Sequence, residues 1–145
     1  MRDGEACSGA EDRLGFLLAR HGQVMNARLR QALACSGLSP RQGAALSRLS
    51  AAGPVTQQAL GEALAVDASA LVAVLNDLEG QGRVARRRDP ADRRRHIVEI
   101  TPAGEQALAA MDAAVGSVER EALSDLEPEE IAQLHALLAR VRSAG

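Results

Sequence analysis

The sequence predicts a mostly helical protein that carries one small β-hairpin. Alanine and leucine, which favour helices, dominate its apolar residues. Six segments repeat apolar residues at the three- and four-residue intervals of a helix, and one segment alternates apolar and polar residues as a strand does. A length of 145 residues suits one domain. Because Phe16 is the sole aromatic residue, we expect a core of Leu, Val, Ile and Ala.

The first two helices follow from local start and stop signals. Apolar residues recur from Glu11 to about Cys35, which predicts a long N-terminal helix that needs a partner surface. Ser39 can cap the next helix, and Pro40 suits its first turn. Gly53 is expected to end that helix.

Two short helices are predicted next. Thr56 can cap the first of them, and its inward residues are expected to be Leu60, Ala63 and Leu64. Asp67 can cap the second, and its apolar side comprises Leu71, Val74, Leu75 and Leu78. Two short helices across a tight turn are typical of a helix-turn-helix motif, although any helical hairpin in a bundle gives the same pattern.

A β-hairpin is predicted directly after these helices. Arg83 to Arg88 can form one strand, residues 89–92 have turn chemistry, and His96 to Ile100 alternate as a second strand. The hairpin tip then carries Arg93, Arg94 and Arg95. A helix-turn-helix followed by an arginine-tipped hairpin is a winged helix, whose helix can enter a major groove while the hairpin reaches the neighbouring minor groove.

The last two helices are predicted to begin at Thr101-Pro102 and Glu127-Pro128. Together with the N-terminal helix they hold more apolar surface than a small winged core can cover, which indicates an interface between subunits. We therefore expect a single domain over residues 1–145. Its winged-helix core spans about 36–100, and its dimerisation helices span 11–35 and 101–143.

Charge is unevenly distributed along the chain. The net charge is −2, yet residues 83–95 contain seven arginines and two aspartates, a local balance of +5. A concentrated basic segment on an acidic body indicates a nucleic-acid contact, although a solvated run of charges has the same composition. All seventeen basic residues are arginine, which fits phosphates and narrow minor grooves.

Several classes of function are disfavoured by missing patterns. The two cysteines form no CxxC pair and the three histidines show no paired ligand spacing, so no metal or cofactor is expected. Neither a GxSxG elbow nor a phosphate-binding glycine loop is present, which argues against an enzyme. The polar N-terminus and the lack of long apolar runs predict a cytoplasmic protein with no membrane partner.

Three motifs carry a resemblance to a known family. They are Leu38-Ser39-Pro40-Arg41 with Ala45-Leu46; Leu78-Glu79-x-x-Gly82-x-Val84; and Asp89-Pro90-Ala91-Asp92-Arg93-Arg94 with Thr101-Pro102-Ala103-Gly104. Over roughly residues 11–143 the sequence resembles the MarR family of winged-helix transcriptional regulators. The resemblance implies a homodimer that binds a pseudo-palindromic DNA operator, as a repressor that a small molecule releases.

The sequence departs from the family pattern at three places. Arg83 stands where the family usually has an apolar or aromatic residue, and Ala73 where many members have a polar one. No basic residue occurs from Asp67 to Gln81. Because of these departures, we expect the positive charge that contacts DNA to come from the hairpin and from Arg41 and Arg48.

The resemblance makes Arg94 the principal DNA-contact candidate, at the position of the family's hairpin-tip arginine. Asp92 is expected to orient the neighbouring arginines by a charge-assisted hydrogen bond, or alternatively to pin the turn. Alternate strand residues face opposite ways, so not all of the arginines at 86–88 can contact one DNA backbone. The remaining candidates are Arg93, Arg95, Arg86 and Arg88 in the hairpin, Ser69, Ala70, Ala73 and Asn76 on the second short helix, and Gln57, Gln58 and Arg41 before it.

An effector site is implied by the family alone. Its members bind small aromatic, often anionic, molecules between the dimerisation helices and the core, where Arg20 and His21 are expected to lie. A salt bridge for Arg20 and a buried role for His21 are the structural alternatives. A redox-responsive regulator using Cys7 or Cys35, and a winged helix that binds proteins instead of DNA, remain alternative functions.

Overall fold

The computed structural model describes residues 13–142, which form six helices and three short strands. They are α1 (Leu14–Ser36), α2 (Pro40–Ala52), β1 (Val55–Thr56), α3 (Gln57–Leu64), α4 (Ala68–Gly80), β2 (Val84–Arg88), β3 (His96–Ile100), α5 (Pro102–Ala122) and α6 (Pro128–Leu138). This arrangement confirms the predicted mostly helical class. Within these residues no single helix is long and apolar enough to cross a membrane. α3 and α4 have the required length and apolar composition only when they are taken together, and they are bent by 111° relative to each other.

The predicted helix caps are confirmed. The Ser39 hydroxyl accepts the Gln42 N–H at 3.2 Å, and the Gln42 side chain accepts the Ser39 N–H at 2.9 Å, which completes a capping box. The side chains of Thr56, Asp67 and Thr101 accept backbone N–H groups of the first turns of α3, α4 and α5 in the same way. These side chains fix where each helix begins.

The sheet has three strands, where the sequence predicted a two-stranded hairpin. β3 lies in the centre and pairs antiparallel with β2 on one side and with β1 on the other. β1 is only two residues long and lies between Gly53-Pro54 and α3. Two residues are too few to produce an alternating pattern, so this strand left no periodic signal.

The core lies within the winged region. Its largest fully buried side chains are Leu46, Leu49, Leu60, Leu75, Leu78 and Val98. The prediction of an aliphatic core is confirmed, since Phe16 is 60% exposed. The placement of Ala63 on the inward side of α3 was wrong, because this residue is exposed.

Tight packing joins the base of the hairpin to the start of α5. The Thr101 hydroxyl donates to the Gly82 carbonyl at 2.6 Å, and the Thr101 N–H donates to the Arg83 carbonyl at 3.1 Å. A Cβ added to Gly104 would collide with that same Arg83 carbonyl. The last residue of the Thr-Pro-Ala-Gly motif is therefore a glycine because the hairpin backbone leaves no room for a side chain.

The terminal helices leave much of their apolar surface uncovered. α1 packs along α5, where Arg28 and Glu121 form an ion pair at 2.6 Å. Neither α1 nor α6 has a single buried residue. The exposed large apolar side chains on these helices and just after α6 are Leu14, Phe16, Leu18, Val24, Leu137, Leu138 and Val141. This is the excess of apolar surface that the sequence predicted.

Candidate nucleic-acid interface

α3 and α4 form a helix-turn-helix. The two helices are bent by 111° relative to each other, within the range of about 90–120° for this motif. Ala65 ends α3 in the left-handed conformation with φ of 52°, and a Cβ on Gly61 would lie 3.1 Å from Leu71. The tight turn and the close approach hold α4 firmly against α3.

α4 exposes one face opposite the core. Leu71, Leu75 and Leu78 are buried. The residues exposed on the other side include Ser69, Val72, Ala73 and Asn76. Ala70, which was also proposed from the sequence, is only half-exposed, and its N–H is taken by Asp67. The exposed face is short and carries no basic side chain.

The tip of the hairpin is held by its own backbone and by two aspartates. Asp89 accepts the Ala91 N–H at 2.9 Å, and Asp92 accepts the Arg94 N–H at 3.0 Å. The Asp92 carboxylate lies 3.6 Å from Nε of both Arg94 and Arg95. These are ion-pair distances that exceed hydrogen-bond length, so the expected charge-assisted hydrogen bond is not formed, and Asp92 pins the turn through the backbone instead.

Five of the seven arginines project from the hairpin into solvent. We call Arg87, Arg88, Arg93, Arg94 and Arg95 the wing arginines; all five are exposed, and the Arg94 side chain is 95% exposed. Arg88 also donates to the Arg93 carbonyl at 3.3 Å. The hairpin therefore presents a dense positive charge without an equal number of carboxylates to neutralise it.

The other two arginines of this segment make internal contacts that sequence reasoning missed. Arg83 donates to the Gly37 carbonyl at 3.2 Å and so ties the hairpin to the C-terminal end of α1. Arg86 donates to Glu79 and, at 2.6 Å, to the Asn76 side chain. The Arg86 side chain therefore joins β2 to α4, and its expected contact with phosphate stays a prediction. Asn76 is engaged in the same contact, which reduces its freedom to bond a base.

A cavity of about 470 Å³ separates the hairpin tip from the helix-turn-helix. Its lining includes Gln57, Gln58 and Glu62 of α3, Ala68 at the start of α4, and Arg94 and Arg95 of the hairpin. We call this cavity the wing notch. Arg41 lies elsewhere, beside a smaller cavity of about 60 Å³ between α2, α3 and α4.

The proposed effector and redox residues lie away from these features. Arg20 and His21 are exposed on α1, and neither lines the wing notch. Cys35 is exposed near the C-terminal end of α1, outside the lining of the wing notch. Cys7 lies outside the described residues.

A helix-turn-helix, a notch and an arginine-rich hairpin on one side define a winged helix-turn-helix protein of the DNA-binding class. The model of the MarR family matches residues 36–95. A putative transcriptional regulatory protein for the hcr operon of Thauera aromatica is 35% identical over 130 residues, which cover 88% of this chain and 78% of the relative. The chain belongs to the MarR family of transcriptional regulators.

Solved structures agree with this assignment. A probable transcriptional regulator from Pseudomonas aeruginosa is 38% identical with a TM-score of 0.70, covering 90% of this chain and 97% of that one. A mutant MarR from E. coli, complexed with operator DNA, is 28% identical with a TM-score of 0.70 and coverage of 90% and 94%. BpsR of Bordetella bronchiseptica, whose DNA binding is regulated by 6-hydroxynicotinic acid, is 26% identical with a TM-score of 0.71 and coverage of 94% and 97%.

Proposed function

We propose that this regulator is a homodimeric repressor that binds a pseudo-palindromic operator and releases it when a small molecule binds. The DNA-binding part of this proposal rests mainly on the wing-arginine surface, of which Arg94 and Arg95 line the notch together with residues of α3 and the start of α4. The complex of the E. coli relative with operator DNA supports the same class of target.

The notch suggests how a duplex is seated. α4 enters the major groove and the hairpin tip enters the adjacent minor groove, so the phosphate strand between the two grooves must pass between these elements. That strand would run through the wing notch, with Gln57 and Gln58 on one side and Arg94 on the other. The Gln58 amide donates to Glu62 at 3.3 Å, so the Gln57 amide and the Arg94 guanidinium are the donors proposed to fix the register of the protein on DNA.

Direct base readout by α4 is limited to a few small side chains. Ser69 can bond a base edge, whereas Val72 and Ala73 can only make apolar contacts, such as with thymine methyl groups. Arg94 in a narrow minor groove would add selectivity for A·T-rich DNA through groove width. We therefore propose that the hairpin supplies a large share of both affinity and sequence preference.

A selection from random duplexes, followed by titration at several salt concentrations, tests this function. We expect an enriched palindromic sequence, and an affinity that falls steeply between about 50 and 200 mM salt because each neutralised phosphate releases counterions. The enriched site placed across a promoter should lower transcription in vitro. A protein-binding winged helix would enrich no sequence and would bind DNA weakly or not at all.

We also propose which segments of the chain form the winged core and which form the dimer interface. Within residues 13–142, every buried apolar residue lies between Leu38 and Leu108, which supports a winged core at about 36–100. The uncovered helices α1 and α6, together with α5, would supply the dimerisation regions at 11–35 and 101–143. Two-fold symmetry of such a dimer matches two half-sites on the operator.

Arg20→Ala is expected to blunt the response to an aromatic carboxylate. A ligand can release DNA only if it binds the DNA-incompetent state more tightly, and a guanidinium on α1 can clamp a carboxylate in that state. DNA release by 6-hydroxynicotinic acid and related acids is followed by fluorescence anisotropy, with Arg30→Ala on the same helix as the control. An unchanged dose response in Arg20→Ala, with intact DNA affinity, would remove Arg20 from the site.

A further inference from the structure

Three side chains join α4 to the hairpin, and we call them the α4–β2 clamp: Asn76, Glu79 and Arg86. Arg86 lies in the middle of β2, opposite Val98 of the central strand. Its Nε donates to Glu79, and its Nη2 donates to Asn76 Oδ1 at 2.6 Å. Asn76 and Glu79 are three residues apart, so both present their oxygens on the same side of α4.

The clamp explains why α4 can carry the acidic residue Glu79 although this helix is proposed to bind DNA. Glu79 lies on the helix proposed to enter the groove, where a free carboxylate would repel phosphates. The hydrogen bond from Arg86 holds the pKa of the Glu79 carboxyl below its ordinary value, so the charged form persists and is compensated by the guanidinium. The pair therefore contributes little net charge to the DNA-facing surface.

Arg86 is also shielded in a way that the wing arginines are not. Its side chain is 20% exposed, compared with 95% for Arg94. The planar guanidinium uses two N–H directions for α4, which fixes its orientation. A guanidinium held in this way is suited to setting a distance between two elements and poorly suited to reaching a phosphate.

We propose that Arg86 is a positioning residue, which through Glu79 and Asn76 sets the spacing between the recognition helix α4 and the hairpin so that both grooves are engaged together. This inference rests on the proposed DNA-binding function. The clamp lies one residue before the part of β2 that carries Arg87 and Arg88. A small rotation of the hairpin about its base would therefore move the tip arginines by a larger distance and out of register with the minor groove.

Glu79→Gln gives a test in which the two interpretations predict opposite signs. If electrostatics alone matters, removing a negative charge beside DNA strengthens binding. If the clamp positions the hairpin, the same change weakens binding, by about tenfold for the removal of one charged hydrogen bond. Asp77→Asn is the matched control, because it removes the same charge from an exposed carboxylate on α4 that lies outside the clamp. It is expected to leave affinity unchanged or slightly higher.

Arg86→Gln and the double variant Glu79→Gln with Arg86→Gln complete the experiment. We expect the double variant to be no weaker than either single one, because all three variants break the same ion pair. Any fall in the slope of log affinity against log salt should be equal in the three variants, because each of them displaces the same tip arginines. Hydroxyl-radical footprints should lose protection in the minor groove, while guanine N7 in the major groove stays protected from methylation. Melting temperatures would verify that each variant is folded.

Two results would overturn the proposal. Tighter binding by Glu79→Gln would show that removal of the negative charge outweighs any positioning. A salt slope that falls by about 1 in Arg86→Gln but is unchanged in Glu79→Gln would identify Arg86 as a phosphate contact. Failure of the proposed function is recognised separately, since the wild-type protein itself would then show no salt-dependent binding to the selected duplex.

Discussion

Phe16→Glu combined with Leu137→Glu is expected to convert a dimer into a monomer and to lower operator affinity by about a hundredfold or more. Phe16 is 60% exposed and Leu137 is 51% exposed within one protomer, so neither contributes much to the protomer's own packing. If a second copy covers them, each glutamate places an unpaired charge in an apolar interface, which strongly disfavours association. The two half-sites are then bound independently, and the gain from linked binding disappears.

Sedimentation equilibrium measures the mass, and anisotropy on the selected duplex measures the affinity. Val72→Glu is the matched control, since it makes the same kind of change at an exposed apolar residue of α4. The control must keep the wild-type mass even if it weakens DNA binding. A wild-type protein that is monomeric, or a double variant that stays dimeric, would contradict the proposed interface.

The helical part of the fold was predictable because its signals are local. Ser39 with Pro40, Asp67, and Thr101 with Pro102 each place a side-chain acceptor directly before a helix. A cap of this kind needs only the three residues that follow it, so the sequence alone suffices to locate the start. The two-residue strand β1 had no such local signal, because its formation depends on pairing with β3, which lies far along the chain.

The roles of the individual arginines were only partly predictable. The basic run correctly located the hairpin, but composition does not distinguish a free guanidinium from a bonded one. Arg83 finds its acceptor at Gly37, which is 46 residues away, and that contact depends on the assembled fold. Arg86 had a weak signal in advance: an acid and an amide three residues apart, on a helix with no basic residue of its own, need a partner.

The location of the candidate site followed from the motifs, whereas its shape did not. The turn at residues 89–92 could be predicted because aspartate and proline favour turns, and the Asp92 side chain accepts the Arg94 N–H there. The wing notch depends on how far the hairpin stands from α3, which is a property of the three-stranded sheet and of the clamp. Neither a distance nor a cavity can be derived from one strand pattern.

Arg93→Ala combined with Arg94→Ala is expected to weaken DNA binding by about 1–3 kcal/mol for each arginine that reaches a groove, while the fold stays intact. Both side chains are exposed, so their removal leaves no cavity. The hydrogen bonds that hold the tip here use the Arg94 N–H and the Arg93 carbonyl, which alanine retains. Mutual repulsion among the wing arginines is relieved by the change, so the stability of the hairpin should not fall.

The dependence of binding on salt distinguishes a contact from general attraction. Each phosphate contact removed should lower the slope of log affinity against log salt by about 1. Arg30→Ala with Arg120→Ala is the matched control, because it removes the same two charges from exposed positions on α1 and α5, away from the hairpin. We expect this control to weaken binding slightly and to keep the wild-type slope, since its charges do not lie on the phosphates.

Circular dichroism and sedimentation would verify fold and assembly, and anisotropy across the salt series would measure binding to selected and random duplexes. Weaker binding to both duplexes is expected if the tip holds phosphates, and an effect confined to the selected duplex is expected if it reads the shape of the minor groove. A folded double variant with unchanged affinity and slope would mean that the wing arginines are merely solvated. Recognition would then depend on α4, whose exposed face carries no basic side chain to hold the DNA backbone.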